Sequence, residues 1–459
     1  MTRSEDKQAE ASGINSQGMF SFTMVCVGQV FSLLGTAMTA FALGIWAWEI
    51  TGQATALALV GFFGFAPIVL VSPFAGALVD RWNRKLTMML SDLAAGLSTV
   101  AVLLLYTTGN LQIWHLYVTN AFAAAFQAFH FPAYSAAVTT MVPKKHYGRA
   151  SGMLSLAQNI SGVFAPVAAA ILLGFLGIVG VLAVDLATVS IAVVVLLLVR
   201  IPQPAETEAG RRGRGSIWKE SIYGFHYISE RRSLLGLLLV FFSFNLISTF
   251  SFTLLAPMIL ARTSNNAVIL GGVMSALGVG GVAGSLLLSA WGGPKRKIKG
   301  VLYGLIISGI TASLLGFGTD LLFWAPVGFF LMLLVPTING SSQAIWQAKV
   351  APDVQGRVFA SRLLIAQISS PVSMLIAGPL ADRVFEPAML PNGSLAPVFS
   401  TFVGIGPGAG MALMFVISGI LSAVVGLVGY SVRVVRNAED ILPDHDAKIA
   451  EPQQAVAES

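Results

Sequence analysis

Three carboxylates, Glu49, Asp92 and Asp185, lie inside or at the end of segments that are otherwise apolar. An ionisable side chain is costly at membrane depth, so each is a candidate for binding and releasing a proton. Each also has a plainer role. Glu49 closes its segment and can sit in water. Asp92 stands beside a basic loop and reads as part of that loop's charge network, and Asp185 can pack or cap a helix as readily as it can couple proton movement. Neutral polar residues are spread through the same segments: Gln29, Asn120, Gln127, His130, Gln158, Asn159, Asn245, Asn339, Gln343 and Gln367. They can join helix to helix at around 1 kcal/mol each, or line a cavity that orients an amphiphilic small molecule while Phe, Trp and Met supply apolar contact. Gln127 with His130, and Asn339 with Gln343, are three and four residues apart, so each pair shares a helix face.

A further group stands at the end of an apolar segment, in Gly76-Ala77-Leu78-Val79-Asp80-Arg81-Trp82-Asn83-Arg84-Lys85. Asp80 there faces the negative pole of a helix dipole and needs a cation or another helix's N-terminus to meet it. The G-x-L-x-D-R pattern recurs as Gly378-Pro379-Leu380-Ala381-Asp382-Arg383.

The elements that must hold these residues follow from composition. Hydrophobic residues make up 55% of the 459 and charged residues 10%, with mean hydropathy +0.78, far from the roughly 25% charged of soluble proteins. Twelve segments between Phe20 and Val432 are long enough to cross a core needing about 20 apolar residues. The least obvious break lies between Ala150 and Val199, where Gly174, Gly177 and Gly180 mark a turn. The first apolar run is too long for a signal-peptide core and reads as a retained span. Cys26 is the only cysteine, which excludes an intramolecular disulfide and a cysteine metal site.

Assigning alternate loops to opposite sides puts all but Arg262 and Arg383 of the 27 Lys and Arg residues on one side. Both termini are therefore expected in the cytoplasm. The net charge of +6 needs no nucleic acid to explain it. The expected organisation is a tail over 1–19, a six-helix half over 20–200, a basic linker with an interfacial helix over 201–233, a second six-helix half over 234–435 and a tail over 436–459. Trp218, Ile222, Phe225 and Ile228 give the linker helix its apolar face. Pro143 to Gln158 and Pro352 to Gln367 share one spacing ahead of the fifth and eleventh spans, the mark of a duplicated unit. No Walker loop, H-E-x-x-H or Gly-x-Ser-x-Gly elbow is present, so neither an enzyme nor a bound cofactor or metal is expected.

Twelve spans as six plus six, a basic central loop and G-x-L-x-D-R-x-x-R-K after the second span resemble the major facilitator superfamily. Thr51-Gly52, Pro132-Ala133, Gly224-Phe225-His226-Tyr227-Ile228 and Gly378 to Pro387 look most like its bacterial drug-efflux branch, which includes macrolide exporters; siderophore exporters share much of the pattern. The fifth-span antiporter motif departs from the family, with Ala165, Ala168, Ala169 and Ala170 around Pro166 where glycines are usual. The resemblance implies an all-α fold of two pseudo-symmetric halves and a monomer in the bacterial cytoplasmic membrane. It implies export of a small amphipathic substrate by alternating access, driven by protons, with membrane lipid as the surrounding partner. A siderophore or lysolipid exporter, or a non-transporting sensor, are the alternatives. It also sets the second and eleventh helices side by side, giving a gating set of Gly76, Asp80, Arg81, Arg84, Lys85, Arg357, Arg362, Asp382 and Arg383. Asp80 would then meet Gly356, Arg357 and Arg362 inside, and Asp382 would meet Thr51 and Ala54 outside. The plainer expectation for Asp382 is a loop turn paired with Arg383.

Overall fold

A hydrocarbon core leaves backbone polar groups no water to bond, so an apolar chain crossing it must close its hydrogen bonds within each segment. In the computed structural model, which describes residues 2–79, 82–142, 147–199, 201, 224–351 and 354–443, every described element is helical. The long helices are α1 (Thr2–Thr51), α2 (Ala54–Val79), α3 (Arg84–Thr107), α4 (Ile113–Met141) and α5 (Tyr147–Leu198). After the linker come α6 (Arg232–Arg262), α7 (Ala267–Trp291), α8 (Lys297–Leu315), α9 (Leu321–Lys349) and α10 (Gln355–Leu380). The short α11 (Ala396–Val403) and the long α12 (Ala409–Ser431) follow.

Among the described residues ten segments are long and apolar enough to cross a membrane. The difference from twelve has two sources. One segment is α5, whose backbone breaks at Gly177 with φ 63° and ψ −168°, a conformation that suits glycine; its two limbs make two passes. The other source is α4, a 29-residue helix carrying His115, Asn120, Gln127 and His130, which is long enough but more polar than the rest.

The chain divides into two compact units, 1–51 with 59–211 and 52–58 with 212–459. In unit 1, α5 packs on α1, and α3 packs on α4 and α5. Phe22, Cys26, Met88, Tyr134 and Leu196 are among the buried side chains of one of its cores. In unit 2, α9 packs on α7, α8 on α12, and α6 on α10 and α12. Small residues set these distances. A Cβ on Gly280 or Gly284 of α7 would collide with the backbone carbonyls of Phe329 and Leu333 on α9.

Part of the expected interfacial helix is present over 224–229, while Trp218 and Ile222 lie outside the described residues. Ile228 is buried with Leu234, Trp346 and Val358 in a core of unit 2, and a Cβ on Gly224 would strike Ser361 of α10. The segment packs against α10 through these residues, because glycine lets its backbone approach, while Phe225 is exposed.

Candidate functional site

Unit 1 encloses two acids. Asp185, on the second limb of α5, is 1% exposed. Its Oδ1 accepts from Thr36 Oγ1 at 3.3 Å, and its Oδ2 from Thr39 Oγ1 at 3.0 Å and Thr99 Oγ1 at 2.7 Å. Three hydroxyls from α1 and α3 thus take the place of water around the carboxylate. Gly35 makes the room: a Cβ there would stand 2.9 Å from Asp185 Oδ1 and closer still to Thr188 Oγ1.

Asp92 is 6% exposed and eight residues into α3, about 12 Å from the helix start. It is expected in the signature-loop network, and its described contacts are with α1 and α4. Oδ2 accepts from Gln29 Nε2 of α1 at 2.9 Å. Oδ1 faces His130 Nε2 of α4 at 3.6 Å, a distance too long for a hydrogen bond, and Nε2 has no hydrogen-bond partner. The buried Tyr134 ring lies 6.1 Å from the imidazole. Gln29 and His130, expected as cavity residues, are therefore directed at Asp92. A proton held between Oδ1 and Nε2 would give this pair a donor and an acceptor.

The other unit 1 candidates are dispersed. Gln127 is exposed although it shares a helix face with buried His130, Asn120 is half-buried, and Glu49 is exposed at the end of α1. Gln158 falls among the α5 side chains outside the described set.

Unit 2 holds a cavity of about 350 Å³ between α6, α9 and α10, with Asn245, Asn339 and Gln343 in its wall. Phe241, Phe242 and Trp346 supply the apolar surface. Arg362, expected at a gate, also lines this cavity. Its Nη1 donates to Gln343 Oε1 at 2.9 Å and Nη2 to Ser342 Oγ at 3.2 Å, and the guanidinium lies 5.2 Å from the centre of the Trp346 ring. The sequence signal was its depth: seven residues past Gln355, a cation is about 10 Å inside an apolar helix.

Charged groups at the helix ends cap backbone. Asp382 Oδ1 accepts from Ala54 N at 2.9 Å, while Oδ2 accepts from Thr55 N at 2.8 Å and Thr55 Oγ1 at 2.5 Å. The carboxylate therefore satisfies the free donors of the α2 N-terminus, and Arg383 points to an exposed position. Gly378 permits the approach, since a Cβ there would stand 2.5 Å from Thr55 Cα. Glu386 does the same for α12, accepting from Gly408 N at 3.0 Å and Met411 N at 2.8 Å. Arg262 ties loops together by donating to the carbonyls of Gly316, Gly318 and Val403. Lys85 donates to the Leu197 and Val199 carbonyls at 2.9 and 3.0 Å, closing the C-terminal end of α5. Gly76 lies in α2, Arg84 opens α3 and Arg357 is exposed on α10, whereas Asp80 and Arg81 lie outside the described residues.

The Major Facilitator Superfamily profile matches residues 25–374. The chain belongs to this superfamily. Macrolide efflux protein A of Streptococcus pyogenes is 26% identical over 374 residues, covering 79% of this chain and 90% of the relative. The multidrug efflux pump Tap of Mycolicibacterium fortuitum is 25% identical over 350 residues, 72% of this chain and 82% of the relative. Among solved structures, an inward-facing, unoccupied bacterial homolog of the human lysosomal transporter Spinster superposes with TM-score 0.67 at 15% identity. That match covers 90% of this chain and 95% of the other. The nucleoside transporter NupG gives 0.64 at 14%, with 90% and 99% covered. This superfamily transporter is a multi-pass membrane protein resembling the macrolide and drug-efflux branch.

Proposed function

We propose that this transporter exports small amphipathic compounds from the bacterial cytoplasm by alternating access, driven by the proton gradient, as a monomer with both termini in the cytoplasm. The observation that carries the coupling half of this reading is the Asp92–His130 pair, two ionisable groups enclosed within membrane helices and held 3.6 Å apart without a hydrogen bond. Hydrocarbon burial makes such a pair expensive, and a proton taken up between the two groups would remove the cost. Asp185, surrounded by three hydroxyl donors, is the packing acid. The efflux relatives support the direction and the substrate class.

The gating proposal is a pair of latches. Asp80 with Arg81, Arg84 and Lys85 serves the cytoplasmic side, and Asp382 on the α2 N-terminus serves the external side. Asp80→Asn should shift the population towards inward-facing and Asp382→Asn towards outward-facing in cysteine cross-linking. Shifts in the same direction would sink the two-latch scheme.

Transport into inverted vesicles tests the function. A fluorescent dye and a macrolide should accumulate when a proton gradient, acid inside, is imposed, and should stop when it is collapsed. Failure of both compounds to move under any gradient would defeat the drug-exporter reading.

A further inference from the structure

The cavity of unit 2 has a charge character that the efflux reading leaves unassigned. Arg362 is the one ionised side chain in its described wall. The described acids of unit 2 are all engaged elsewhere. Glu230 meets His226 at 3.0 Å, and Asp440 meets Arg296 at 2.8 Å. Asp320 caps α9 through Phe323 N, and Glu439 accepts from the N–H groups of Lys297 and Ile298 at the start of α8. Asp382 and Glu386 hold the N-termini of α2 and α12. Arg362 therefore has only neutral partners among the described residues of this unit, the amide of Gln343 and the hydroxyl of Ser342. Those bonds use two of its five N–H donors.

A guanidinium in that setting is oriented and undercompensated. Two hydrogen bonds fix its plane, the Trp346 ring lies 5.2 Å from its centre, and its remaining donors have the fork geometry that matches a carboxylate, sulfonate or phosphate. Beyond it the space continues. A second cavity shares Phe241, Asn245 and Asn339 with the first and runs on past Phe244 and Phe252 to Met332. From Gln343 to Met332 is about 16 Å of helix, enough for a rigid body of several fused rings. Asn245 and Asn339 supply amide groups along an otherwise apolar track.

We propose that this cavity binds an amphipathic anion, with its acidic group on Arg362 and its apolar body along the phenylalanine-lined wall. This deepens the exporter reading and rests on it for the meaning of binding. It narrows the preferred substrates to molecules that carry a negative charge at one end, so a basic macrolide should be bound and moved less well than an anionic amphiphile of similar size, because like charge beside the arginine is disfavoured.

The test uses the full chain in phosphatidylcholine nanodiscs and two probes with one steroid body: tritiated deoxycholate, and its cationic amide with ethylenediamine. Scintillation proximity should show the anion bound at least tenfold more tightly than the cation. Arg362→Gln should weaken the anion tenfold or more and bring the two probes level, with Arg362→Lys recovering part of the loss. Asn245→Glu, which leaves the arginine in place and adds an acid to the wall, should weaken the anion and strengthen the cation, so the proposal stays testable if the arginine variants do not fold. Equal or tighter binding of the cation by the unaltered chain, an Arg362→Gln variant that keeps anion affinity, or saturable binding of neither probe would overturn it. Adding phosphatidylglycerol separates two sources of the anion: competition identifies the membrane's own lipid, and its absence a solute. Inverted-vesicle transport of the same pair keeps the two readings apart. An anion that binds and is moved under no gradient defeats the exporter reading alone, whereas a cation that is bound and moved in preference defeats this inference alone.

Discussion

Among the described residues, unit 1 buries acids and unit 2 does not. In unit 1 the enclosed carboxylates of Asp92 and Asp185 are met by an amide, an imidazole and three hydroxyls. Beyond the first turn of α3 no lysine or arginine is found within its described spans up to Met141. In unit 2 the carboxylates sit at helix ends on backbone N–H groups, and the charge facing the cavity is the guanidinium of Arg362. Two halves of related sequence spacing have thus been given different chemistry. A proton-binding pair needs a carboxylate whose partner changes on protonation, and a binding cavity needs a fixed charge that does not titrate. Arginine suits the second need because it stays protonated, and the Asp92–His130 pair is the one proposed for the first.

The contrast can be broken most directly at Asp92. Asp92→Asn should reduce gradient-driven accumulation in inverted vesicles at least tenfold while exchange without a gradient persists. His130→Gln should act in the same direction and less completely. Retained gradient-driven transport in Asp92→Asn would take the proton out of this pair. Asp185 sharpens the distinction between a coupling acid and a packing acid. Thr99→Val removes its shortest hydroxyl contact and should cost about 1–3 kcal/mol, the usual range when a buried acceptor loses a donor, read as a lower midpoint in thermal unfolding with gradient dependence preserved. Loss of coupling with unchanged stability would reverse the two roles.

Smaller effects belong to the close contacts. Gly378→Ala places a methyl 2.5 Å from Thr55 Cα and should cost about 1–3 kcal/mol by overpacking. Asp382→Ala removes the α2 cap and should cost about 0.5–2 kcal/mol. The double variant should lose less than the sum, because a shifted α10 can no longer present Asp382 to Ala54 and Thr55. Strict additivity in thermal unfolding would show that the glycine and the cap act separately.

How much of this was legible before the fold was known depended on whether a residue's meaning was local. Gly177 was readable as part of a glycine cluster inside a run too long for one span, and the break occurs there. The place of Asp382 beside the start of α2 was implied by the family resemblance, whereas its own neighbours suggested a loop turn paired with Arg383. Asp92 misled because sequence placed it near Arg84 and Lys85, whereas folding brought it Gln29 from 63 residues away and His130 from the next helix. Thr36 and Thr39 carried a weak signal, two hydroxyls three residues apart beside Gly35, but threonine is common in membrane helices and nothing local directs it to Asp185. Arg362 stands out in the sequence for its charge, but the cavity wall around it comes from three helices that only the fold assembles.

Cys26 is buried with Phe22 and Tyr134 in the core of unit 1. A lone thiol shielded by two aromatic rings is a poor target for maleimides or methanethiosulfonates arriving from water. Pairs of cysteines introduced at the exposed ends of the helices can therefore carry spin labels or fluorophores on the unaltered background, and pulsed dipolar spectroscopy can follow the opening and closing of the transporter without first removing its native sulfur.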